Sequence, residues 1–421
     1  MAWIVLDAHG RLLRLARVPT PREEGREHVA ADPAPLLALA GLEARSLVPA
    51  APGLVAPVDN DSKQAFTGSD PMGGDPLRVE IAWLRGRPVW FGVSHAWAET
   101  TVVERARPGP TSAAGRLALV VNVGFLIVIP IGAWLLAVRN VRRRRVDRKG
   151  TLRLSVSYLL VLLVARVLRA DHVPAFVDEW SLLSYLVAEC VFWSAGVGVF
   201  YVAVEPYVRR RWPAALVSWT RLVAGRLGDP MVGRDVLLGF LAGLLVLLAW
   251  HLSVLVPERL GGPLPLPLPL PLTPLAEARH VGYYLLRNLG EAVFRAFGLL
   301  ALLVLLRGVL HSQRAAVATV FVPLAASFLG DTTAGPLFRL AYVGVAAAVA
   351  IAVLLRYGLL SLCACAFLIL TLRRLPLTFD LESWYLGRSV VVLTAVAGLS
   401  LWAFGNVIRG QPVFGRALFE D

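Results

Sequence analysis

The sequence predicts an all-α polytopic membrane protein of about nine transmembrane helices, with a small amino-terminal α+β module outside the membrane. Three observations predict it. First, 57% of the 421 residues are hydrophobic, above the roughly 45–50% usual for soluble chains. Second, from Leu117 onward the apolar residues gather into blocks near the roughly 20 residues that one helical crossing requires. Third, arginines flank those blocks, as at Arg142–Arg145 and Arg209–Arg211, where the positive-inside rule expects topology determinants. The net charge of +13 is therefore assigned to membrane orientation rather than to a nucleic-acid partner.

Residues 1–115 form the outer segment. Two short apolar runs, 3–6 and 12–18, joined through Asp7-Ala8-His9-Gly10, predict a β-hairpin. One helix is expected over 35–47. A second hairpin is expected from 77–84 and 89–94 around Arg85-Gly86-Arg87-Pro88, with Leu77, Val79, Ile81 and Trp83 facing a small core. So few elements bury little apolar area, so the module reads as incomplete.

The membrane domain occupies 116–421. Its predicted spans are 117–138, 152–168, 180–204, 236–256, 282–306, 315–329, 337–355, 359–372 and 390–408. The sixth and eighth are short for the hydrocarbon core and call on snorkelling arginines such as Arg356 and Arg373. The densest arginine clusters, 139–153 and 208–234, lie two spans apart and so share a side, assigned to the cytoplasm. The amino-terminal module is then outside and the carboxyl terminus inside, with Arg373, Arg374 and Arg388 as a local violation. An exported module without a signal peptide at Met1 implies a further helix upstream. Alternating Pro and Leu over 262–274 predict a polyproline II spacer in an outer loop.

Catalytic signatures are absent from the sequence. It has no Gly-x-x-x-x-Gly-Lys-[Ser/Thr] loop, no His-Glu-x-x-His, no Gly-x-Ser-x-Gly and no protein-kinase motif set. No catalytic residue, cofactor or metal site is expected. Cys190, Cys363 and Cys365 lie in apolar blocks and read as small buried hydrophobes. Charged groups at membrane depth are costly and therefore candidates for function. They are Glu189, His251, and the trio Arg287, Glu291 and Arg295, spaced every four residues so that Glu291 can pair with either arginine. Satisfied helix-face pairing is the bland account; a transporter-like or intramembrane-enzyme site using Glu189, His251 and Glu291 is the sharp one. Gly290-Glu291-Ala-Val-Phe-Arg295 faintly resembles the Glu-Glu-x-x-x-Arg motif of CPBP-type intramembrane proteases, but Gly290 replaces the first glutamate and His311 is the one later histidine. Asp171-His172 and Asp178-Glu179, in an outer loop, match no defined cation site.

The longest informative stretch is Tyr201-Val-Ala-Val-Glu205-Pro206-Tyr207-Val-Arg209-Arg210-Arg211-Trp212-Pro213, continuing through Ser218-Trp219-Thr-Arg221 to Asp229-Pro230-Met-Val-Gly233-Arg234-Asp235. It resembles a loop of the membrane region that lies carboxyl-terminal to the kinase domain in a group of bacterial receptor-like serine/threonine protein kinases. Trp3-Ile-Val-Leu-Asp7 with Gly10-Arg-Leu-Leu13, Arg85-Gly-Arg-Pro-Val-Trp-Phe91, and Pro376-Leu-Thr-Phe-Asp-Leu-Glu-Ser-Trp-Tyr385 are similar to the same region. The resemblance implies a bacterial inner-membrane protein that supplies the sensory or anchoring half of a signalling system. Its partner would be a separate cytoplasmic kinase or other signalling protein, and no kinase catalytic residue carries over. Physically, Glu205 and Pro206 should end a span, and Arg209–Arg211 should meet anionic headgroups. Trp212 and Trp219 suit an interface. Residues 213–227 are expected as an amphipathic helix on the inner surface, broken at Gly228-Asp229-Pro230.

Overall fold

A computed structural model describes residues 2–7, 9–18, 31–53, 56, 58–71, 76–95, 113–172, 174–260, 273–329 and 335–409. The chain divides into two units. One takes in Met1–Thr111 with Asp380–Tyr385, and the other Ser112–Phe379 with Leu386–Asp421.

The first unit is built on a six-stranded antiparallel sheet, strand order β1-β2-β6-β5-β4-β3. Its strands are β1 (Ala2–Leu6), β2 (Leu12–Arg17), β3 (Val48–Ala50), β4 (Ser62–Ser69), β5 (Pro76–Leu84) and β6 (Arg87–His95). Both predicted hairpins form. In the first turn the Asp7 carboxylate accepts the His9 and Arg11 N–H groups, each at 2.8 Å. In the second, Arg85 and Gly86 both take positive φ, 53° and 75°, the backbone that matches a two-residue turn to strand twist. Strands β3 and β4 were not expected. Their sequences, Val-Pro-Ala and Ser-Lys-Gln-Ala-Phe-Thr-Gly-Ser, carry too few apolar residues to alternate visibly. The single helix expected over 35–47 is corrected to α1 (Ala34–Leu39) and a separate 3-10 turn, Ala44–Ser46. Gly41 at φ 69° stands between them.

The predicted alternation in β5 holds: Leu77, Val79, Ile81 and Trp83 are 4%, 0%, 1% and 2% exposed. They pack with Phe91 and with Leu36 and Leu37 of α1. Between them, Glu80 accepts the Arg78 Nε–H at 2.7 Å and the Gly53 N–H at 2.9 Å. Arg78 also donates to the Ala51 carbonyl. The buried carboxylate is thus satisfied, and it fixes the connection between β3 and β4 to β5.

The second unit is helical: α2 (Ala113–Arg142), α3 (Arg148–Arg169), α4 (Phe176–Arg211), α5 (Ala214–Val223), α6 (Pro230–Arg259), α7 (Thr273–Ala276), α8 (Ala278–Leu310), α9 (Gln313–Ser327), α10 (Pro336–Arg356), α11 (Leu359–Arg374) and α12 (Leu386–Ile408). Each predicted span falls on a helix. Among the described residues six helices, α3, α4, α6, α8, α10 and α12, are long and apolar enough to cross a membrane. The helices α9 and α11 have 15 and 16 residues, reaching roughly 24 Å at 1.5 Å per residue against a core of about 30 Å. The spacer expected over 262–274 lies outside the described residues as far as 272, and Thr273 and Pro274 belong to α7.

The short α11 is buried along most of its length. Its approach to α6 depends on glycines. A Cβ at Gly239 would stand 2.3 Å from the Ser361 carbonyl oxygen, and one at Gly243 3.1 Å from that of Cys365. Two glycines four residues apart let the backbones meet, as helices in lipid commonly do.

Candidate functional site

The stretch 205–235 joins α4 to α6 and folds onto the helical unit. Pro206 lies buried within the last turns of α4, beside the partly buried Tyr207. Glu205, 4% exposed, pairs one turn on with Arg209, Oε1 to Nε 2.9 Å. Arg209, Arg210 and Arg211 are exposed. Trp212 caps α4 by donating its N–H to the Val208 carbonyl at 2.7 Å, and the Arg307 guanidinium lies 4.4 Å from its ring centroid. Pro213 then opens α5.

The helix expected over 213–227 is shorter, ending at Val223, and it does not lie free on a surface. Leu216, Ser218 and Trp219 are buried. The Trp219 ring, expected at an interface, meets Phe297 of α8 edge to face, centroids 5.2 Å apart. The Ser218 hydroxyl donates to Asp235, which is 1% exposed and also pairs with Arg234 at 2.9 Å. The expected break at 228–230 is observed as a capped turn. Arg221 Nη1 donates to both carboxylate oxygens of Asp229, at 2.9 and 2.8 Å. The Asp229 Oδ1 accepts the Met231 N–H at 2.9 Å, and Pro230 occupies the first helical position of α6. Burial would raise the Asp229 pKa, but the Met231 N–H and the Arg221 guanidinium outweigh it and hold the carboxyl below its ordinary range. At Gly233 a Cβ would stand 2.3 Å from the Ala403 carbonyl oxygen, so α12 presses on the first turn of α6.

Further contacts gather one end of the helical unit around this segment. Asn140 of α2 donates to the Val202 and Ala203 carbonyls at 2.9 and 3.0 Å. Asn406 of α12 donates to the Leu227 carbonyl at 2.7 Å. The two arginine clusters, Arg142–Arg145 and Arg209–Arg211, therefore belong to the same end. At the opposite helix ends, Arg279 donates to the Ala170 carbonyl and pairs with Asp171 at 2.8 Å, while Arg388 reaches the Ala276 carbonyl at 3.3 Å.

The intramembrane candidates are distributed among separate partners. Glu189 pairs with Arg166 of α3. Glu291 pairs with Arg295, as the spacing predicted, and also with Arg374 of α11, whose Nη2 lies 2.9 Å from Oε1. Arg374 further donates to Asn288 at 3.3 Å, and Asn288 reaches the Thr371 hydroxyl at 3.5 Å. Arg287 instead lies over the Tyr284 ring, 5.8 Å from its centroid. His251 turns its Nδ1 to its own helix, 2.8 Å from the Leu247 carbonyl. Among the described residues no hydrogen bond or ion pair joins Glu189, His251 and Glu291 to one another. His311 follows the end of α8, twenty residues and so roughly 30 Å from Glu291, which removes the protease-like arrangement. Ahead of α4, His172 Nδ1 lies 2.6 Å from Oε1 of Glu179 in the first turn of that helix. Among the described residues no three His, Cys, Asp or Glu side chains cluster as a metal site would require.

Arg166, Asn288 and Asn406 were not singled out from sequence, and Arg374 and Ser218 were named there without the partners found here. One signal did exist. Arg374 violated the charge rule, and a misplaced arginine beside an intramembrane glutamate elsewhere in the chain is a candidate pair. Comparison with protein-family models, curated proteins and solved structures finds no match for this chain.

Proposed function

We propose that this chain is the membrane half of a bacterial signalling system, similar to the membrane region of receptor-like serine/threonine kinases. It crosses the cytoplasmic membrane nine times, with residues 1–115 outside and the arginine-rich end and carboxyl terminus inside. In this scheme α9 and α11 cross as short helices with help from Arg314, Arg356 and Arg373 at their ends. The observation that carries the reading is the docking of 205–235 onto α6, α8 and α12 through Ser218–Asp235, Trp219–Phe297 and Leu227–Asn406. A change in how these helices pack would move the segment and the exposed Arg209–Arg211 beside it. Those arginines meet anionic headgroups, at about 1 kcal/mol each near the surface, and present a basic face to a separate cytoplasmic kinase or other signalling protein.

The activity belongs to that partner. The purified chain, supplied with magnesium and ATP, should show no autophosphorylation above background, because it lacks the groups that hold magnesium and phosphate. Magnesium-dependent phosphate transfer that persists through rigorous purification would overturn the assignment.

A further inference from the structure

The strand β1 is an edge of the sheet, and it lacks what usually protects an edge. The far edge, β3, is 3 residues long and holds Pro49, whereas β1 (Ala-Trp-Ile-Val-Leu) has neither a charge nor a proline. A bare apolar edge invites a covering partner. Its side chains are bare as well. Phe91, Leu15 and Ile4 stand in register across β6, β2 and β1, and exposure rises along that row from 0% at Phe91 to 59% at Ile4. Trp3 and Leu6 are 45% and 52% exposed.

The same unit holds a second apolar lip, in Asp380–Tyr385. The Asp380 carboxylate accepts the Glu382 N–H at 3.0 Å and the Ser383 hydroxyl at 2.8 Å. This turn buries Ser383 and leaves Leu381 and Trp384 83% and 55% exposed. Those two donors hold the Asp380 carboxyl below its ordinary range, and the His9 imidazole, in the turn between β1 and β2, adds to the effect. The segment therefore lies beside that hairpin. Tyr385 leads straight into α12, which is long and apolar enough to cross a membrane. Chain continuity keeps Leu381 within roughly 18 Å of the first residue of that helix.

We propose that the β1–β2 hairpin and the 380–385 segment rest together on the outer face of the bilayer, with Trp3, Ile4, Leu6, Leu381 and Trp384 in the headgroup layer. The inference rests on the membrane placement proposed above. Lipid is the occupant because the patch continues into a membrane-crossing helix. Residues just ahead of a span lie at headgroup depth, where tryptophan and tyrosine are enriched. The backbone limits how deep the strand goes. The unpaired N–H and C=O groups of β1 need water or headgroups, so the strand stays in the interface and out of the hydrocarbon. Edge-to-edge pairing of β1 with a second copy would satisfy that backbone without accounting for Leu381 and Trp384. The arrangement joins the sheet to α12 through one short stretch of chain, and the far end of α12 holds Leu227 through Asn406.

The full chain, one per lipid disc of phosphatidylethanolamine and phosphatidylglycerol, carries a single nitroxide label once Cys190, Cys363 and Cys365 are replaced. Labels on Ile4→Cys and Leu381→Cys should be more accessible to oxygen, which concentrates in the bilayer, than a label on Ser69→Cys. They should be less accessible to a water-soluble nickel chelate. With the label on Ile4→Cys, Leu6→Ser should shift the docking equilibrium about tenfold toward water, and Leu6→Met should leave it in place. Equal accessibility at the Ile4 and Ser69 sites of the folded chain would overturn the proposal. So would shielding of the Ile4 site from both reagents, or shielding that needs two chains in one disc, since either puts protein on the edge. Orientation is measured separately by thiol labelling in cells. A reversed orientation with the depth pattern intact rejects only the topology, and the expected orientation with the Ile4 site in water rejects only the docking.

Discussion

Arg374→Ala is expected to destabilise the helical unit by about 3–5 kcal/mol, the range for breaking a desolvated ion pair from one side. Arg374 reaches Glu291 through both terminal nitrogens and Asn288 through one of them. Its removal leaves the carboxylate with Arg295, whose side chain is more exposed. Asn288 and Thr371, both fully buried, would lose their link to the pair. Thermal melting of the purified protein in detergent is the measurement, with Glu291→Gln added to the same chain as the control. If the cost comes from an orphaned charge, the double variant should recover at least half of the loss. If it recovers nothing, the effect is packing of α11 against α8 and the ion pair is incidental.

Trp219→Ala should cost a comparable amount, about 3–5 kcal/mol, since truncating a buried aromatic leaves a cavity that the bundle fills only partly. The variant separates a docked segment from a surface anchor. A tryptophan inserted among headgroups would contribute to vesicle binding and little to folding, whereas Trp219 lies between α5 and Phe297. With Trp219 as the single tryptophan, brominated lipids should leave its fluorescence almost unquenched. Strong quenching together with an unchanged melting temperature would restore the anchor and remove the coupling route proposed for the segment.

The helical unit was largely legible in the sequence because long apolar blocks between charged ends have few other solutions in lipid. Leu77, Val79, Ile81 and Trp83 were legible for a similar reason, alternation against a core. What escaped was information held by pairs distant in sequence. The Ser218–Asp235 bond, the Asn406–Leu227 bond and the Arg374–Glu291 pair are separated by 17, 179 and 83 positions, and no local pattern links such partners. The stretch 213–227 reads in sequence as an amphipathic surface helix, and spacing alone does not say whether lipid or protein covers its apolar side, where Leu216 and Trp219 are buried. The glycines at 239 and 243 stood in plain view as a four-residue repeat within an apolar block, and their role became apparent only with α11 beside them.

The orientation proposed for the arginine-rich end is tested most directly by single cysteines in intact cells, after the native Cys190, Cys363 and Cys365, all buried, are replaced. One cysteine replaces Ser69 in β4 and another replaces Arg143 just beyond α2, both exposed positions. A membrane-impermeant thiol reagent should label the Ser69 site from outside and spare the Arg143 site until the cells are opened. Labelling at Arg143 in intact cells with the Ser69 site protected would contradict it.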